Sequence, residues 1–172
     1  LKVTLQTIHT PLRKITKEIT RDNIIEKVCI INDELKTKFG RKKPKILICG
    51  VNPHAGEDGL LGKEEIDIII PAVKSLNKMG IIVDGPVPAD TAFIKKFVSK
   101  YDVIHTMYHD QGLPVIKYDN FSRTTNVTLG LPIIRVSVDH GTATELVGTG
   151  KVDISSFAQA LKVARDISKS AI

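Results

Sequence analysis

The sequence alternates short apolar runs with longer segments in which apolar residues recur every three or four positions, and this alternation strongly constrains the fold. Lys45–Gly50 is a continuous apolar run that ends in glycine, which is typical of a strand buried on both faces. Glu64–Met79 carries apolar residues at helical spacing, and Gly80 follows as a stop signal. Strands that alternate with helices of this length form crossover units. We therefore predict an α/β fold with a largely parallel sheet and helices on both faces.

The other apolar runs continue this pattern, so we interpret residues 1–172 as a single α/β region. Further strands are predicted at Lys2–Ile8, Ile81–Val83, Asp102–Met107 and in two pieces of Asn126–Val138. Further helices are predicted from Thr20 as N-cap, over Thr91–Lys100, and over Ser155–Ser168 with Phe157, Leu161, Ala164 and Ile167 on the buried face.

Charge and composition favour some classes of protein over others. The net charge is +6, and much of it comes from the basic run Lys36–Lys45. A nucleic-acid or targeting role is one interpretation of such a run. A solvated helix end is the favoured interpretation, because the chain has no tryptophan and no aromatic stacking platform. We therefore expect no nucleic-acid partner.

The expected compartment is the cytoplasm. No apolar run approaches the ~20 residues that a membrane span requires, and the N-terminus lacks the features of a signal peptide. Cys29 and Cys49 have no CxxC partner, so we interpret them as reduced thiols without a catalytic role. The chain opens directly in a strand-like run, as though cut from a longer one.

Three histidines, His9, His54 and His109, each follow a predicted strand. The carboxyl ends of parallel strands share one edge of a sheet, so three neutral imidazoles there could converge on a divalent ion. Taken singly, each histidine is more often a hydrogen-bonded structural residue, and both interpretations stay open. The glycine-rich segment Gly56–Gly62 matches no phosphate-loop pattern, and we interpret it as a tight loop that lets His54 face a ligand.

Further polar residues follow the later strands. Lys117, Asn126 and Arg135 supply two cations and an amide that could bind a carboxylate or phosphate. Asp90 is either the N-cap of the next helix, which is the favoured interpretation, or a polar group in the site.

One more polar group ends the last predicted strand, and it comprises Asp139, His140, Gly141, Thr142 and Ala143. Its glycine permits close backbone approach and its threonine offers a hydroxyl. A strand-to-helix turn with an N-cap is the alternative interpretation.

Five segments carry a family resemblance. They are CGVNPHAGE (Cys49–Glu57), GPVPADT (Gly85–Thr91), MYHDQGLPVIKY (Met107–Tyr118), NVTLGLPIIR (Asn126–Arg135) and SVDHGTA (Ser137–Ala143). In this order they resemble signature segments of the 4-hydroxythreonine-4-phosphate dehydrogenases of pyridoxal phosphate biosynthesis. The N-terminal half of that family's chain has no counterpart here.

The resemblance implies a fold like that of isocitrate and isopropylmalate dehydrogenases, and a homodimer whose site lies between two lobes and across the subunit interface. It implies a divalent metal (zinc, magnesium or cobalt) at His9, His54 and His109. It also implies substrate contacts from Lys117, Asn126 and Arg135, and NAD or NADP binding by residues Asp139–Ala143.

The implied reaction is oxidation of 4-phosphooxy-L-threonine by NAD or NADP, followed by decarboxylation to 3-amino-2-oxopropyl phosphate. Asp90 and a metal-bound water are both candidates for the general base. Two alternatives remain open. One is a sister dehydrogenase of D-threonate or D-erythronate 4-phosphate, and the other is a non-catalytic metal-binding lobe that needs the absent N-terminal half.

Overall fold

The centre of the fold is a parallel β-sheet. The computed structural model describes residues 1–139, 141 and 144–170, except for the side chain of Ser122. Within these residues the main sheet has four strands in the order β1-β4-β2-β3, and every neighbouring pair is parallel. The strands are β1 (Val3–Leu5), β2 (Lys45–Cys49), β3 (Ile82–Val87) and β4 (Val103–Thr106). The predicted parallel sheet is confirmed, and the carboxyl ends of its strands share one edge.

Helices cover both faces of this sheet, as predicted. Successive side chains of β2 alternate between two buried clusters, with Ile46 and Ile48 in the first and Leu47 and Cys49 in the second. The first cluster is closed by α1 (Leu12–Glu18), α2 (Arg21–Thr37) and α3 (Ile70–Lys78), the last preceded by a π-helical turn at Glu65–Ile69. The other face is covered by α4 (Ala89–Ala92), α5 (Lys95–Val98) and α6 (His109–Asn120).

A smaller antiparallel pair follows the main sheet. It consists of β5 (Thr125–Thr128) and β6 (Arg135–Val138), and α7 (Ser155–Ser170) packs against it. The predicted burial of Phe157 and Leu161 in α7 is wrong, because they are 59% and 57% exposed. The helix buries Ile167, as predicted, together with Ser156 and Ala160. Two of these three side chains are small, so the helix can approach the strands closely.

Two helical predictions need correction. The single helix predicted at Thr91–Lys100 is divided into α4 and α5, because Ile94 between them has an extended backbone (ψ 148°). Helix α6 was not predicted, since it contains Gly112 and Pro114. The glycine is needed for packing, because a Cβ there would lie 2.6 Å from Cγ1 of Val3 on β1.

The basic run lies at the end of α2, as the favoured interpretation predicted. Thr20 begins this helix, and its Oγ1 accepts a hydrogen bond of 3.2 Å from the Asn23 amide. Near its end Lys38 pairs with Glu34 at 2.7 Å, and Arg41 pairs with Asp102 at 3.1 Å. No helix in the described part of the chain is both long and apolar enough to cross a membrane.

One histidine of the central strand is fully enclosed. His105 on β4 is 0% exposed; its Nδ1 lies 2.9 Å from Oγ1 of Thr4, and its Nε2 lies 3.0 Å from Oε1 of Gln6. Burial, with a smaller contribution from the charge of Lys27, lowers the pKa of His105 to about 3. This side chain is therefore a neutral structural residue that joins β4 to β1.

We predict that His105 makes the fold sensitive to acid. An unfolded histidine has a pKa of about 6.5, so below that pH the unfolded chain takes up a proton that the folded chain excludes. The free energy of unfolding should fall as pH decreases from about 6.5 toward 3, by at most about 1.4 kcal/mol per pH unit from this residue. Urea denaturation of wild type and His105→Gln between pH 7.5 and 4.5 measures this slope. The variant should show the shallower dependence, and parallel curves would refute the assignment.

Candidate active site

The loops that leave β1 and β4 bring two of the predicted metal ligands together. The ring centroids of His9 and His109 lie 5.9 Å apart, with the ring planes inclined by 38°. His9 is exposed on the loop after β1, and His109 is half-buried at the first position of α6. The parallel pairing of β1 with β4 explains this proximity, because it places both carboxyl ends side by side.

The orientation of His109 suits a metal ligand. Its Nδ1 lies 2.6 Å from Oδ1 of Asp110, the next residue in the helix. A carboxylate in this position fixes the ring and the tautomer, and it leaves Nε2 as the nitrogen free to coordinate a ligand. Two adjacent imidazoles, one of them oriented in this way, are suitable donors for zinc or cobalt.

The third predicted ligand, His54, lies in an unusual turn after β2. Residues 54–58 all have positive φ, between 44° and 83°, which is left-handed helical backbone. His54 is exposed there. Within the described residues, no three histidine, cysteine, aspartate or glutamate side chains are grouped closely enough to hold a metal. The structure therefore pairs His9 with His109 and does not bring His54 to them.

A buried carboxyl group stabilises the turn that carries His54. Left-handed backbone costs about 1–2 kcal/mol for each residue that is not glycine. Glu65 is 2% exposed. Its Oε1 accepts hydrogen bonds from the amides of Val51 (2.7 Å) and Asn52 (2.8 Å), and its Oε2 accepts one of 2.9 Å from Nδ2 of Asn52. A Cβ on Gly56 would approach Oε2 to 2.6 Å, so glycine is needed at this point of the turn.

Two polar side chains connect the histidine-bearing loops. Gln111 in α6 accepts a 2.7 Å hydrogen bond from the Met107 amide and donates a 2.7 Å hydrogen bond to the Gly50 carbonyl. The Met107 carbonyl in turn accepts hydrogen bonds from the Thr7 amide (3.1 Å) and the Thr7 hydroxyl (2.8 Å). The ends of β1, β4 and β2 are thus joined by direct contacts.

The predicted substrate-binding residues lie on α6 and the antiparallel pair. Lys117 is two turns beyond His109 in α6, about 12 Å along the helix axis. Arg135 begins β6 and is exposed, and its Nη1 donates a 2.8 Å hydrogen bond to Oγ1 of Thr128 on β5. Asn126 on β5 is also exposed. The two cations are therefore on separate elements, and neither guanidinium nor ammonium is enclosed.

The first residue of the predicted cofactor loop meets a predicted substrate residue. Nζ of Lys117 lies 3.4 Å from Oδ2 of Asp139, an oxygen that is buried and accepts no hydrogen bond from the described residues. Gly141 is described, whereas His140, Thr142 and Ala143 lie outside the described residues. The two predicted binding regions therefore adjoin at Lys117 and Asp139.

The favoured interpretation of Asp90 as an N-cap is wrong. Pro88 is the N-cap of α4, and Asp90 lies inside the first turn as an exposed residue. The preceding proline sets the start of the helix instead, since its fixed φ suits that position. Asp90 remains a candidate polar group of the site.

Sequence reasoning missed Glu65 and Gln111, and one of them carried a usable signal. Glu65 stands four residues before Ile69 and seven before Ala72, on the stripe that α3 buries. An acidic residue on a buried stripe needs hydrogen-bond partners, which predicts a polar contact with the preceding loop. Gln111 had no such signal, because helix α6 was not predicted.

Both cysteines are free, as the sequence predicted. Both Cys29 and Cys49 are free thiols, and burial raises the pKa of Cys49 to about 12. A thiol that stays protonated at neutral pH is a poor nucleophile.

Comparison with known proteins agrees with this architecture. Residues 1–164 match the family model described as "Pyridoxal phosphate biosynthetic protein PdxA". A relative from Pseudoalteromonas translucida, named 4-hydroxythreonine-4-phosphate dehydrogenase, is 54% identical over 95% of this chain and 50% of its own. The crystal structure of 4-hydroxythreonine-4-phosphate dehydrogenase from Klebsiella pneumoniae superposes with a TM-score of 0.87 at 40% identity, covering 96% of this chain and 50% of that one.

A more distant structure has the same fold. The terephthalate 1,2-cis-dihydrodiol dehydrogenase of Burkholderia xenovorans superposes with a TM-score of 0.73 at 27% identity, over 94% of this chain and 52% of that one. The chain thus spans about half the length of the relatives it matches. Both the family model and the relatives lead to one conclusion: the chain belongs to the PdxA family of pyridoxal phosphate biosynthetic proteins.

Proposed function

We propose that this chain forms half of a metal-dependent dehydrogenase that oxidises 4-phosphooxy-L-threonine with NAD or NADP. The product would lose carbon dioxide to give 3-amino-2-oxopropyl phosphate. The observation that carries the proposal is the paired His9 and His109, oriented by Asp110 at the carboxyl edge of a parallel sheet. The names of the relatives support the same activity.

The donor set fits a divalent ion. His9, His54 and His109 would hold it: His9 and His109 form the adjacent pair, and His54 would contribute from the separate turn after β2. When bound, such an ion would act as a Lewis acid on the substrate hydroxyl and lower its pKa. An exposed His54 on a strained turn suits a site that other parts of the assembled enzyme complete, as the family resemblance implies.

The cationic residues would orient the substrate. Arg135 presents a planar guanidinium that can form two parallel hydrogen bonds with a phosphate or carboxylate, and Thr128 already fixes one of its nitrogens. Lys117 would add a point charge, and Asn126 an amide. These exposed groups do not enclose a small molecule, so we infer that the rest of the enzyme excludes water from the substrate.

The dinucleotide would bind beside the substrate. Asp139 is the first residue of the segment that the family resemblance assigns to the dinucleotide. Its proximity to Lys117, 3.4 Å away, supports adjoining substrate and cofactor sites, which hydride transfer requires. Asp90 is proposed as the general base, and its exposure in α4 leaves it accessible to solvent protons.

A homodimer is part of the proposal. Large apolar side chains are exposed on the segments that follow β1 and β2, which also carry His9 and His54: Ile8 (55%), Leu12 (75%), Leu60 (79%) and Ile66 (45%). Apolar surface of this kind marks interaction sites, and a second copy is the partner that the family resemblance implies. We place the enzyme in the cytoplasm, in keeping with two free thiols.

Two alternatives remain. A sister enzyme acting on D-threonate or D-erythronate 4-phosphate would need the same cations and the same metal donors. A non-catalytic metal-binding lobe is the alternative from another class.

The proposal predicts activity only when the chain is combined with the N-terminal half that its relatives have. The purified chain should form no NADH or NADPH alone. Mixed with the N-terminal half of a relative, cobalt, NAD or NADP, and 4-phosphooxy-L-threonine, it should do so. Faster turnover of D-threonate or D-erythronate 4-phosphate would select the sister enzyme, and no turnover of any of the three would leave the non-catalytic lobe.

In the same assay, Arg135→Ala should lower kcat/KM by a factor equivalent to roughly 2–5 kcal/mol, by analogy with buried charge pairs at interfaces. Arg135→Lys should restore only part of it, because lysine lacks the planar fork. The cofactor Kd, measured by fluorescence titration, should change only a few fold. Weakened cofactor binding with normal substrate kinetics would instead move Arg135 to the cofactor site.

The metal assignment predicts one divalent ion per site. Isothermal titration of the metal-free chain with cobalt or zinc should show binding, and His9→Ala or His109→Ala should weaken it by at least about tenfold. Asn77→Leu is the control, because Asn77 bonds to Val73 and Val83 at the amino-terminal edge of the sheet, away from the histidine loops. Unchanged affinity in the triple variant of His9, His54 and His109 would refute the assignment.

The dimer predicts a concentration-dependent mass. Sedimentation equilibrium in the micromolar range should show a dimer, and Leu60→Asp should shift it toward monomer without a change in far-UV circular dichroism. Met79→Asp is the control: Met79 is exposed at the end of α3, beside the start of β3 and so at the opposite edge of the sheet, and the change should leave the mass unchanged. A monomer at all concentrations would oppose a dimer formed by this chain alone.

A further inference from the structure

A continuous series of hydrogen bonds joins the three loops that carry the histidines. It runs from Thr7 to Met107, from Met107 to Gln111, and from Gln111 to Gly50, and Glu65 holds the two residues that follow Gly50. We call these five residues the inter-loop network. His9 lies two residues after Thr7, His109 two residues after Met107, and His54 four residues after Gly50.

We propose that Gln111 is a positioning residue that sets the relative placement of the three histidines. The inference rests on the proposed metal site. It adds a residue that touches neither metal nor substrate but determines how the ligand-bearing loops stand to one another.

The geometry of Gln111 supports this role. The side-chain amide of Gln111 bonds to two loops at once. Its oxygen accepts from the backbone after β4 and its nitrogen donates to the backbone after β2, each at 2.7 Å. Met107 is fully buried, and a buried backbone amide or carbonyl left without a partner costs about 1–3 kcal/mol. The link is therefore stable only while both loops keep this separation.

The network also accounts for the strained turn. Glu65 holds Val51 and Asn52 on one side of Gly50, while Gln111 holds the Gly50 carbonyl from α6. The turn with His54 thus begins at Gly50, whose carbonyl is tied through Gln111 to the backbone that follows β4. Loosening Gln111 should release the His54 turn and the His9 loop, although neither contacts Gln111 directly.

The first test needs no metal. Three backbone amides in the histidine loops donate hydrogen bonds that do not involve Gln111: Thr7 to the Met107 carbonyl, Ala55 to the Asn52 carbonyl, and Leu61 to the Gly56 carbonyl. In Gln111→Met, hydrogen exchange of these amides should be about tenfold faster relative to amides of α2, the change expected for a lost hydrogen bond. Gln111→Glu keeps an acceptor for the Met107 amide but loses the donor to Gly50. This variant replaces Gln111→Met in the measurement if Gln111→Met does not fold.

Asn77→Leu is the matched control. Asn77 also links a helix to a strand through its amide, accepting from the Val83 amide and donating to the Val83 carbonyl, but it lies at the opposite end of the sheet. Its loss should affect stability without selectively changing the histidine loops. Unchanged relative exchange of the three amides in both Gln111 variants would overturn the proposal.

The second test measures the metal site. Cobalt affinity and the cobalt absorption spectrum should change in Gln111→Met, with a loss of about tenfold or more, and stay unchanged in Asn77→Leu. In a His54→Ala background, Gln111→Met should reduce cobalt affinity by a smaller factor, because part of its effect in the wild type acts through the position of His54. Full additivity would overturn the role. If wild type binds no cobalt, the proposed metal site fails, and the exchange measurement alone decides whether Gln111 positions the loops.

Discussion

The placement of β4 between β1 and β2 is the constraint on which the rest of the structure depends. Both pairs are parallel, so the loops after all three strands leave the sheet at one edge. His9 and His109 meet there at 5.9 Å although 100 residues separate them. The enclosed His105 on β4 reinforces this arrangement, because its ring nitrogens meet Thr4 and Gln6 of the neighbouring segment. The buried polar side chain of His105 thus helps to hold β1 against β4, and β1 leads into the loop with His9.

The turn that carries His54 shows a different balance of forces. Five successive residues with positive φ are unfavourable by themselves, and four of them are not glycine. The buried carboxyl of Glu65 offsets that cost with three hydrogen bonds to the two residues before the turn's proline. A strained loop held by a buried polar group has a defined shape without a hydrophobic core of its own. That property suits a ligand loop, which must expose its side chain and still hold it in place.

The sequence predicts the apolar framework well and the polar connections poorly. Apolar runs identify β2 and α3 because burial on a sheet or helix imposes a period that can be read directly. Helix α6 has no such signal, since Gly112 and Pro114 oppose helix formation, and the close packing of Gly112 against β1 is a tertiary contact. The same packing places Gln111 against Gly50, a tertiary contact that local patterns do not contain. Asp90 was misread for a similar reason, because the proline before it determines where α4 begins.

The fold constrains the positions of some candidate site residues more strongly than those of others. His9 and His109 are set by strand pairing, whereas Arg135 and Asn126 stand on a two-stranded ribbon whose outer surface is exposed. A two-stranded pair gains stability mainly from what packs on it, and here that is α7, whose Phe157 and Leu161 are still exposed. Lys117 and Asp139 form a 3.4 Å ion pair, which connects the proposed substrate-binding region to the first residue of the proposed cofactor loop. An element that covers the ribbon would therefore also affect this contact, and through it both of the proposed binding regions.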